Sequence, residues 1–222
     1  MIITKQKDFE DIVEAAKLYK SLFLVGCGDC ATLCRTGGED ELKAMAGVLG
    51  KSGITVSGMA VVHATCHELD TQRVLRMHKD EVDKSDAFLV LTCGAGVQAV
   101  GDYTDKTDKP AISGCDSLFI GNSKRQMHFY EKCSACGDCV LNSTGGICPV
   151  TRCPKGLLNG PCGGAVRGKC EVNEEEDCIW ITIFERMSKL GRLDDLMEIA
   201  RPKKYSSNPS PGKIEQQVRP GK

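Results

Sequence analysis

The stretch that decides the fold runs from Leu22 to Cys34 and reads LFLVGCGDCATLC. Its first four residues form a continuous apolar run, which is typical of a short strand buried on both faces. Glycine and cysteine follow at once, so a tight loop carrying Cys27, Cys30 and Cys34 succeeds the strand. This stretch predicts a central parallel strand with a cysteine-bearing loop at its carboxyl end.

Strands and helices alternate on both sides of this stretch. We predict strands over 54–62, 87–91 and 110–113, and helices from Asp8 and over about 39–50, 69–82 and 95–100. Such alternation favours βαβ units, in which neighbouring strands are parallel. The sequence therefore predicts an α/β domain over residues 1–120 with a doubly wound, mostly parallel sheet.

Four cysteines, Cys27, Cys66, Cys93 and Cys115, come at or just after the ends of predicted strands. The carboxyl ends of parallel strands share one edge of a sheet, where such folds place their sites. Three thiolates spaced as Cys27-x2-Cys30-x3-Cys34 can bind three corners of a cubane iron–sulfur cluster. We expect Cys66 or Cys93 to supply the fourth ligand, with Cys115 as the third candidate.

The composition changes near residue 120. Residues 133–178 hold eight cysteines, many glycines and prolines, and little periodicity, so metal bonds would have to supply much of the folding energy. We predict a cysteine-rich, loop-rich metal-binding domain with terminal helices over 121–200 and a flexible tail over 201–222. Its candidate ligands are Cys133, Cys136, Cys139, Cys148, Cys153, Cys162, Cys170 and Cys178.

The series Cys133-x2-Cys136-x2-Cys139 has the spacing of a ferredoxin run, although the usual fourth cysteine before proline comes later, as Cys148 or Cys153. Eight thiols suffice for two four-ligand sites, and zinc takes four thiolates as readily as iron does. Together with the first loop, the sequence predicts two or three 4Fe-4S clusters, with one zinc as an open possibility. A zinc-binding structural or docking module is the alternative function.

The sequence gives less support to a nucleotide-binding site or to a hydrolytic active site. The pattern Gly26-x-Gly28-x-x-Ala31 follows a strand, as in dinucleotide-binding folds, but no acidic residue ends the next predicted strand. His63 and His67 flank Cys66, and we interpret them as hydrogen-bonding or surface histidines. Neither a P-loop nor a Ser/His/Asp set is present in the sequence, and we predict no catalytic residue.

The 14 cysteines of the 222 residues also indicate a compartment. Charges at Lys5, Lys7, Asp8 and Glu10 leave no room for an apolar leader, and no apolar run is long enough to cross a bilayer. We therefore expect a cytoplasmic protein without membrane insertion, whose thiols stay reduced and available to metals. A net charge of -1 and a pI near 6.4 predict no nucleic-acid partner.

Residues 133–185 resemble the methylenetetrahydrofolate reductase C-terminal domain family. The matching segments are CGDC at 136–139, GGICPVTRCPKGLLNGPCGG at 145–164, GKCEV at 168–172 and CIW at 178–180. VGCGDCATLC at 25–34 and LTCGAGVQ at 91–98 are similar to the α/β part of the same family, so the resemblance covers about residues 20–190.

The resemblance implies an electron-transfer role, because the large flavin-binding barrel of the reductase is absent from this sequence. It implies a small iron–sulfur subunit that takes electrons from a donor protein and passes them to FMN in a separate catalytic subunit. That partner reduces methylenetetrahydrofolate in the Wood–Ljungdahl route of acetogens. Flavin and folate residues belong to the partner, so only the cysteines are carried over to this chain.

Overall fold

The computed structural model describes residues 1–105, 107–208 and 210–214. The chain divides into two compact units, Met1–Tyr130 and Glu131–Lys222. Residues 121–130, which the composition placed with the second domain, thus belong to the first unit. They do so because they continue a strand pair that begins at Cys115.

The first unit has the alternating order that the sequence predicts. Its strands are β1 (Ile2–Gln6), β2 (Ser21–Cys27), β3 (Thr55–Val62), β4 (Ala87–Leu91), β5 (Ala111–Ser113) and β6 (Cys115–Arg125), and β7 (His128–Cys133) begins in it and ends in the second unit. Its helices are α1 (Phe9–Ala16), α2 (Cys30–Leu33), α3 (Glu39–Lys51), α4 (Glu68–Met77), α5 (Lys79–Asp83) and α6 (Gly94–Thr104). The helix predicted over 69–82 is two helices, which meet at His78.

Four strands form a parallel sheet in the order β3-β2-β4-β5, which confirms the predicted α/β architecture. The chain moves from β2 outward to β3, then returns past β2 to β4. The order therefore reverses between β2 and β4, and folds of this class place their sites at the carboxyl edge of such a switch point. Leu24 is level with Leu89, and Gly26 with Leu91.

Helices cover both faces of this sheet because alternate residues of β2 point to opposite sides. Leu22 and Leu24 pack with α1 and α3 in one core, and Phe23 and Val25 pack with α4, α5 and α6 in the other. All four side chains are fully buried, and burial of each contributes about 1.5–3 kcal/mol. The sheet is therefore doubly wound, as the sequence predicts.

A second sheet was not predicted. Strands β1, β6 and β7 form a three-stranded sheet in the order β1-β6-β7, in which β1 pairs antiparallel with β6. The periodicity of β6 is weak, because most of its residues are exposed or only half-buried. The first strand of the chain thus pairs with a segment more than a hundred residues away, which no local pattern indicates.

The second unit has a small core around one amphipathic helix. Its helices are α7 (Pro149–Arg152) and α8 (Ile179–Lys189), and it also has short 3-10 turns at Leu141–Ser143, Leu193–Leu196 and Tyr205–Ser207. Trp180, Ile183 and Met187 of α8 are buried, and the Trp180 indole N–H donates to the Leu157 carbonyl at 3.1 Å. The rest of the unit is loop, as the sequence predicts.

Of the tail predicted to be flexible, residues 201–208 contact the cysteine loop that follows β7, while residues 209 and 215–222 lie outside the described part of the chain. No helix within the described residues has the length and apolar character needed to cross a membrane.

We predict that Gly37→Ala destabilises the first unit. A Cβ at Gly37 would lie 1.7 Å from the backbone oxygen of Leu91, so the loop after α2 would have to move off the end of β4. Overpacking of this kind costs about 1–3 kcal/mol of the free energy of unfolding, which urea denaturation measures.

Gly47→Ala is the matched control, because nothing lies within 4 Å of its Cβ position in the middle of α3. It should stabilise the chain by about 0.5–1 kcal/mol through the higher helix propensity of alanine. Equal urea midpoints for the two variants would contradict the close packing of Gly37 on β4.

Candidate metal centres

Three predicted ligands of the first unit lie at the carboxyl edge of the parallel sheet. Cys27 is the last residue of β2, Cys93 directly precedes α6, and Cys66 lies in the turn between β3 and α4. The turn folds back over β2, where the Thr65 hydroxyl donates to the Gly26 carbonyl at 2.9 Å. The topology thus brings together cysteines that are far apart in sequence.

The electrostatics of Cys66 reflect this proximity. Burial raises the pKa of the Cys66 thiol, and the neighbouring sulfurs of Cys93 and Cys27 raise it further. A cation bound between these sulfurs would offset this repulsion and favour the thiolate form of Cys66.

The other two cysteines of the first motif lie on one side of α2, one turn apart. Cys30 is half-buried, and burial raises the pKa of its thiol while a hydrogen bond from the Ile2 backbone lowers it. Cys34 is buried at 3% exposure, with its Sγ 3.9 Å from the Ile2 carbonyl oxygen. Cys30 and Cys34 thus share the Ile2 backbone as a neighbour, whereas the Cys27 Sγ lies near the His63 carbonyl.

Cys115, the third candidate for a fourth ligand, is buried in the core beside α3. Its Sγ donates to the Thr36 carbonyl at 3.5 Å, and burial raises the pKa of its thiol to about 12. A protonated thiol does not bind metal, because the thiolate is the ligand. Metal binding at Cys115 would therefore have to displace this proton.

The histidines beside Cys66 have other contacts. His67 caps α4, where its Nδ1 accepts a hydrogen bond from the Asp70 backbone N–H at 3.3 Å. The carbonyl of His63 lies 3.9 Å from the Cys27 Sγ. The structure thus gives His67 the hydrogen-bonding role that the sequence analysis favoured.

In the second unit, the loop after β7 favours ionised sulfur. The Ala135 backbone N–H donates to the Cys133 Sγ at 3.3 Å. Burial opposes ionisation of Cys136, but a hydrogen bond from the Asp138 backbone and the nearby Lys203 ammonium hold the pKa of Cys136 below its ordinary value. Cys139 is exposed at the end of the same loop.

Residues 201–208 hold this loop in place, a contact that sequence reasoning missed. The Asp138 carboxylate accepts hydrogen bonds from the Lys204 backbone N–H at 3.1 Å and from Arg201 at 3.4 Å. Lys203 donates to the Asp138 carbonyl, and Asn208 to the carbonyl of Ala135. The sequence signal that could have indicated this contact is a pair of opposite charges. RPKK at 201–204 is a basic run, and CGDC at 136–139 has a single aspartate.

Cys162 has similar surroundings. A hydrogen bond of 3.4 Å from the Gly164 backbone N–H and the nearby Lys155 ammonium lower the pKa of the Cys162 thiol, although burial opposes them. Lys155 also forms an ion pair with Glu171. Exposure and N–H···S hydrogen bonds of this kind also occur in metal-binding cysteine loops.

The remaining four cysteines of the second unit lie nearer its core. Cys148 and Cys153 flank α7, Cys170 is half-buried, and Cys178 is buried where it precedes α8. None of the 14 cysteines, all of which lie in the described residues, is in a disulfide. Within residues 1–105, 107–208 and 210–214, no three or more His, Cys, Asp or Glu side chains are grouped closely enough to hold a single metal ion.

A cavity of about 580 Å³ in the second unit lies beside Trp180, Phe184 and Leu196. No cysteine lines it. It is therefore separate from the thiols that the sequence analysis proposes as ligands.

Comparison with family models gives a match for part of the chain. Residues 112–206 match the model of the family described as the C-terminal region of methylene-tetrahydrofolate reductase. This match confirms the family resemblance over the cysteine-rich loops of the second unit. No curated protein matches the chain.

Two solved structures match part of the chain at low similarity. An arylmalonate decarboxylase is 11% identical with a TM-score of 0.34, over 48% of this chain and 46% of its own. A substrate-binding periplasmic protein from Ralstonia solanacearum is also 11% identical with a TM-score of 0.34, over 51% of this chain and 30% of its own. This chain thus spans less than half the length of either protein.

We predict that Lys203→Ala raises the pKa of Cys136, because the ammonium group that stabilises the thiolate is lost. In the reduced, metal-free chain, the pH midpoint for alkylation of Cys136 should move upward. Peptide mass spectrometry of protein labelled with iodoacetamide across a pH series measures this midpoint.

Lys189→Ala is the control, since it removes the same charge from α8 and should leave the midpoint of Cys136 unchanged. An identical midpoint in the Lys203 variant and the wild-type chain would contradict the contact between residues 201–208 and the cysteine loop.

Proposed function

We propose that this chain is a small iron–sulfur subunit of the MetV type, which transfers electrons to the flavin of a methylenetetrahydrofolate reductase catalytic subunit. The observation that carries the proposal is the loop after β7, in which Cys133 and Cys136 have thiolate-stabilising contacts inside the segment that matches the reductase family. The family match supports the choice of reductase. The thiolate contacts support metal binding.

A 4Fe-4S cluster supplies a one-electron carrier. The contribution of the chain is to hold the thiolates and to offset their charge. Backbone N–H groups of Ala135 and Gly164 and the ammonium groups of Lys203 and Lys155 do so here. Hydrogen bonds to sulfur and nearby positive charge favour the reduced, more negative state of a cluster, so these residues would raise its potential.

In this proposal, one subunit transfers electrons and the other carries out the reduction of the substrate. No catalytic residue was predicted here, and folate and flavin would bind to the partner. The proposed route runs from an electron-donor protein, through clusters held by this chain, to FMN in the catalytic subunit. The Wood–Ljungdahl methyl branch and a cytoplasmic location are parts of the same proposal.

A zinc-binding docking module is the second candidate function. The N–H···S contacts of Cys133 and Cys162 favour it as much as they favour iron, because thiolate loops of this kind also hold structural zinc. The second unit has a small core, so a structural ion would add folding energy.

The test is the iron and zinc content of the full chain, purified without oxygen. We expect a brown protein with about eight irons for two clusters or about twelve for three. Colourless protein with zinc and no iron would overturn the electron-transfer function and leave the docking module.

We further predict that Cys136→Ser lowers the iron content by about four per chain. It should slow reduction of the partner's flavin by a chemical electron donor, as stopped-flow absorbance measures, while the partner keeps its flavin.

Val140→Ala, just beyond the same loop, is the control and should keep both iron and rate. Unchanged iron in the Cys136 variant would remove this loop from the cluster sites.

A further inference from the structure

Helix α8 carries more apolar surface than the core of the second unit uses. Trp180, Ile183 and Met187 are buried in that core, whereas Phe184 is not part of it and is 55% exposed. A helix that packs only on its own domain needs one apolar stripe, with polar residues on the opposite face. Phe184 therefore leaves aromatic surface of α8 open to solvent.

This surface is one wall of the cavity of about 580 Å³. Leu158 and Pro161 line it from the loop before α8, and Leu196 and Ile199 line it from the segment after α8. Ile199 is 87% exposed, so apolar surface continues from the cavity onto its rim. Cavities of about 300–1,000 Å³ with mostly apolar walls bind other molecules, and exposed apolar surface around them marks interaction sites.

The two sides of the cavity are tied to each other by hydrogen bonds. The Trp180 indole N–H donates to the Leu157 carbonyl at 3.1 Å, which holds α8 against the loop before it. The Asn159 Oδ1 accepts from the Ala200 backbone N–H at 2.7 Å, which holds that loop against the segment after α8. The cavity is therefore formed before anything binds, so little ordering entropy is lost on binding.

The charged groups that line the cavity leave one carboxylate without a counter-ion. Asp195 forms an ion pair with Arg192, and Arg201 forms one with Asp138. Glu198 also lines the cavity, is exposed, and forms no ion pair with any residue that the structure describes. A molecule that carries a lysine or arginine beside an apolar group would complement this charge.

The cavity adjoins candidate metal ligands, although no cysteine lines it. Cys162 directly follows Pro161 of the lining, and Cys178 precedes Trp180 by two residues. Electron transfer slows steeply with distance, so an electron acceptor has to lie close to the thiols that hold a cluster. A protein bound at the cavity would lie beside these two cysteines.

Resting on the proposed function, we infer that the cavity beside Trp180 and Phe184 is the docking site for the flavin-containing catalytic subunit. The segment that this subunit presents is amphipathic. One of its apolar side chains enters the cavity against Phe184 and Ile199, and a neighbouring lysine or arginine pairs with Glu198. Insertion of an amphipathic segment into an apolar groove is a common mode of protein recognition.

Binding of the full chain, purified without oxygen, to the purified flavin-containing subunit tests this docking site. Ile199→Asp should raise the Kd by about tenfold or more, because a carboxylate would lose its water in an apolar contact. Isothermal titration calorimetry measures the Kd. Ile214→Asp is the matched control, since Ile214 is 81% exposed and does not line the cavity, and it should bind like the wild-type chain.

A charge reversal gives a second, independent measurement. Glu198→Lys should slow association by about threefold or more at low salt, and the difference should shrink at high salt, where ions screen the charges. Stopped-flow mixing measures the association rate. Glu10→Lys makes the same change on α1 and should leave the rate nearly unchanged. An unchanged rate for Glu198→Lys would refute the pairing with a basic side chain.

Wild-type affinity of Ile199→Asp for the flavin-containing subunit would overturn the docking site and leave the proposed function intact. A wild-type dimer that Ile199→Asp dissociates, with the flavin-containing subunit still bound as before, would assign the surface to a second copy of the chain. Failure of the wild-type chain to bind the flavin-containing subunit would refute the proposed function itself. If circular dichroism shows that Ile199→Asp does not fold, Ile199→Ala repeats the test without a new charge.

Discussion

The parallel pairing of β2 with strands on both sides is the constraint on which the first unit depends. β2 hydrogen-bonds to β3 on one edge and to β4 on the other, and its side chains alternate between the two cores. A slip of one residue would exchange the faces of Leu24 and Val25 and disrupt both cores at once. The register therefore fixes where Cys27 leaves the sheet and, with it, the position of the switch point.

The second unit depends on a different balance. Its core is one helix and the loops that pack on it, and much of the chain between Glu131 and Cys178 is held by hydrogen bonds to backbone groups. Charged side chains hold the loops that have few buried apolar contacts. Asp138 binds residues 201–204, and Lys155 pairs with Glu171 near Cys162. Loops built in this way gain most from bound metal, because its binding energy is also folding energy.

The two units thus offer thiols in contrasting environments. In the second unit, N–H groups and lysines favour thiolates, which suits metal ligands exposed at the surface. In the first unit, cysteines lie in two kinds of surroundings. Cys66 is exposed at the sheet edge, whereas Cys115 is a core residue whose pKa burial raises to about 12. Cysteine count and spacing alone therefore do not indicate which thiols are buried and which are exposed.

The sequence by itself determined the features that depend on neighbouring residues. Apolar runs such as 22–25 and 87–91 specify buried strands, their alternation with helices specifies a parallel sheet, and cysteines at strand ends specify an edge rich in thiols. The eight cysteines of 133–178 likewise mark a loop-rich unit without the structure. Each of these signals is local, because side-chain periodicity and turn chemistry act over a few residues.

Only the tertiary structure decided what depends on contacts between distant segments. It paired β1 with β6, folded the turn of Cys66 over β2, buried Cys34 against Ile2, and brought Lys203 to Cys136. A spacing such as Cys27-x2-Cys30-x3-Cys34 contains no information on which thiol faces inward, because that depends on a strand at the other side of the loop. Burial and charge at a cysteine are properties of its surroundings, and those are set by the fold.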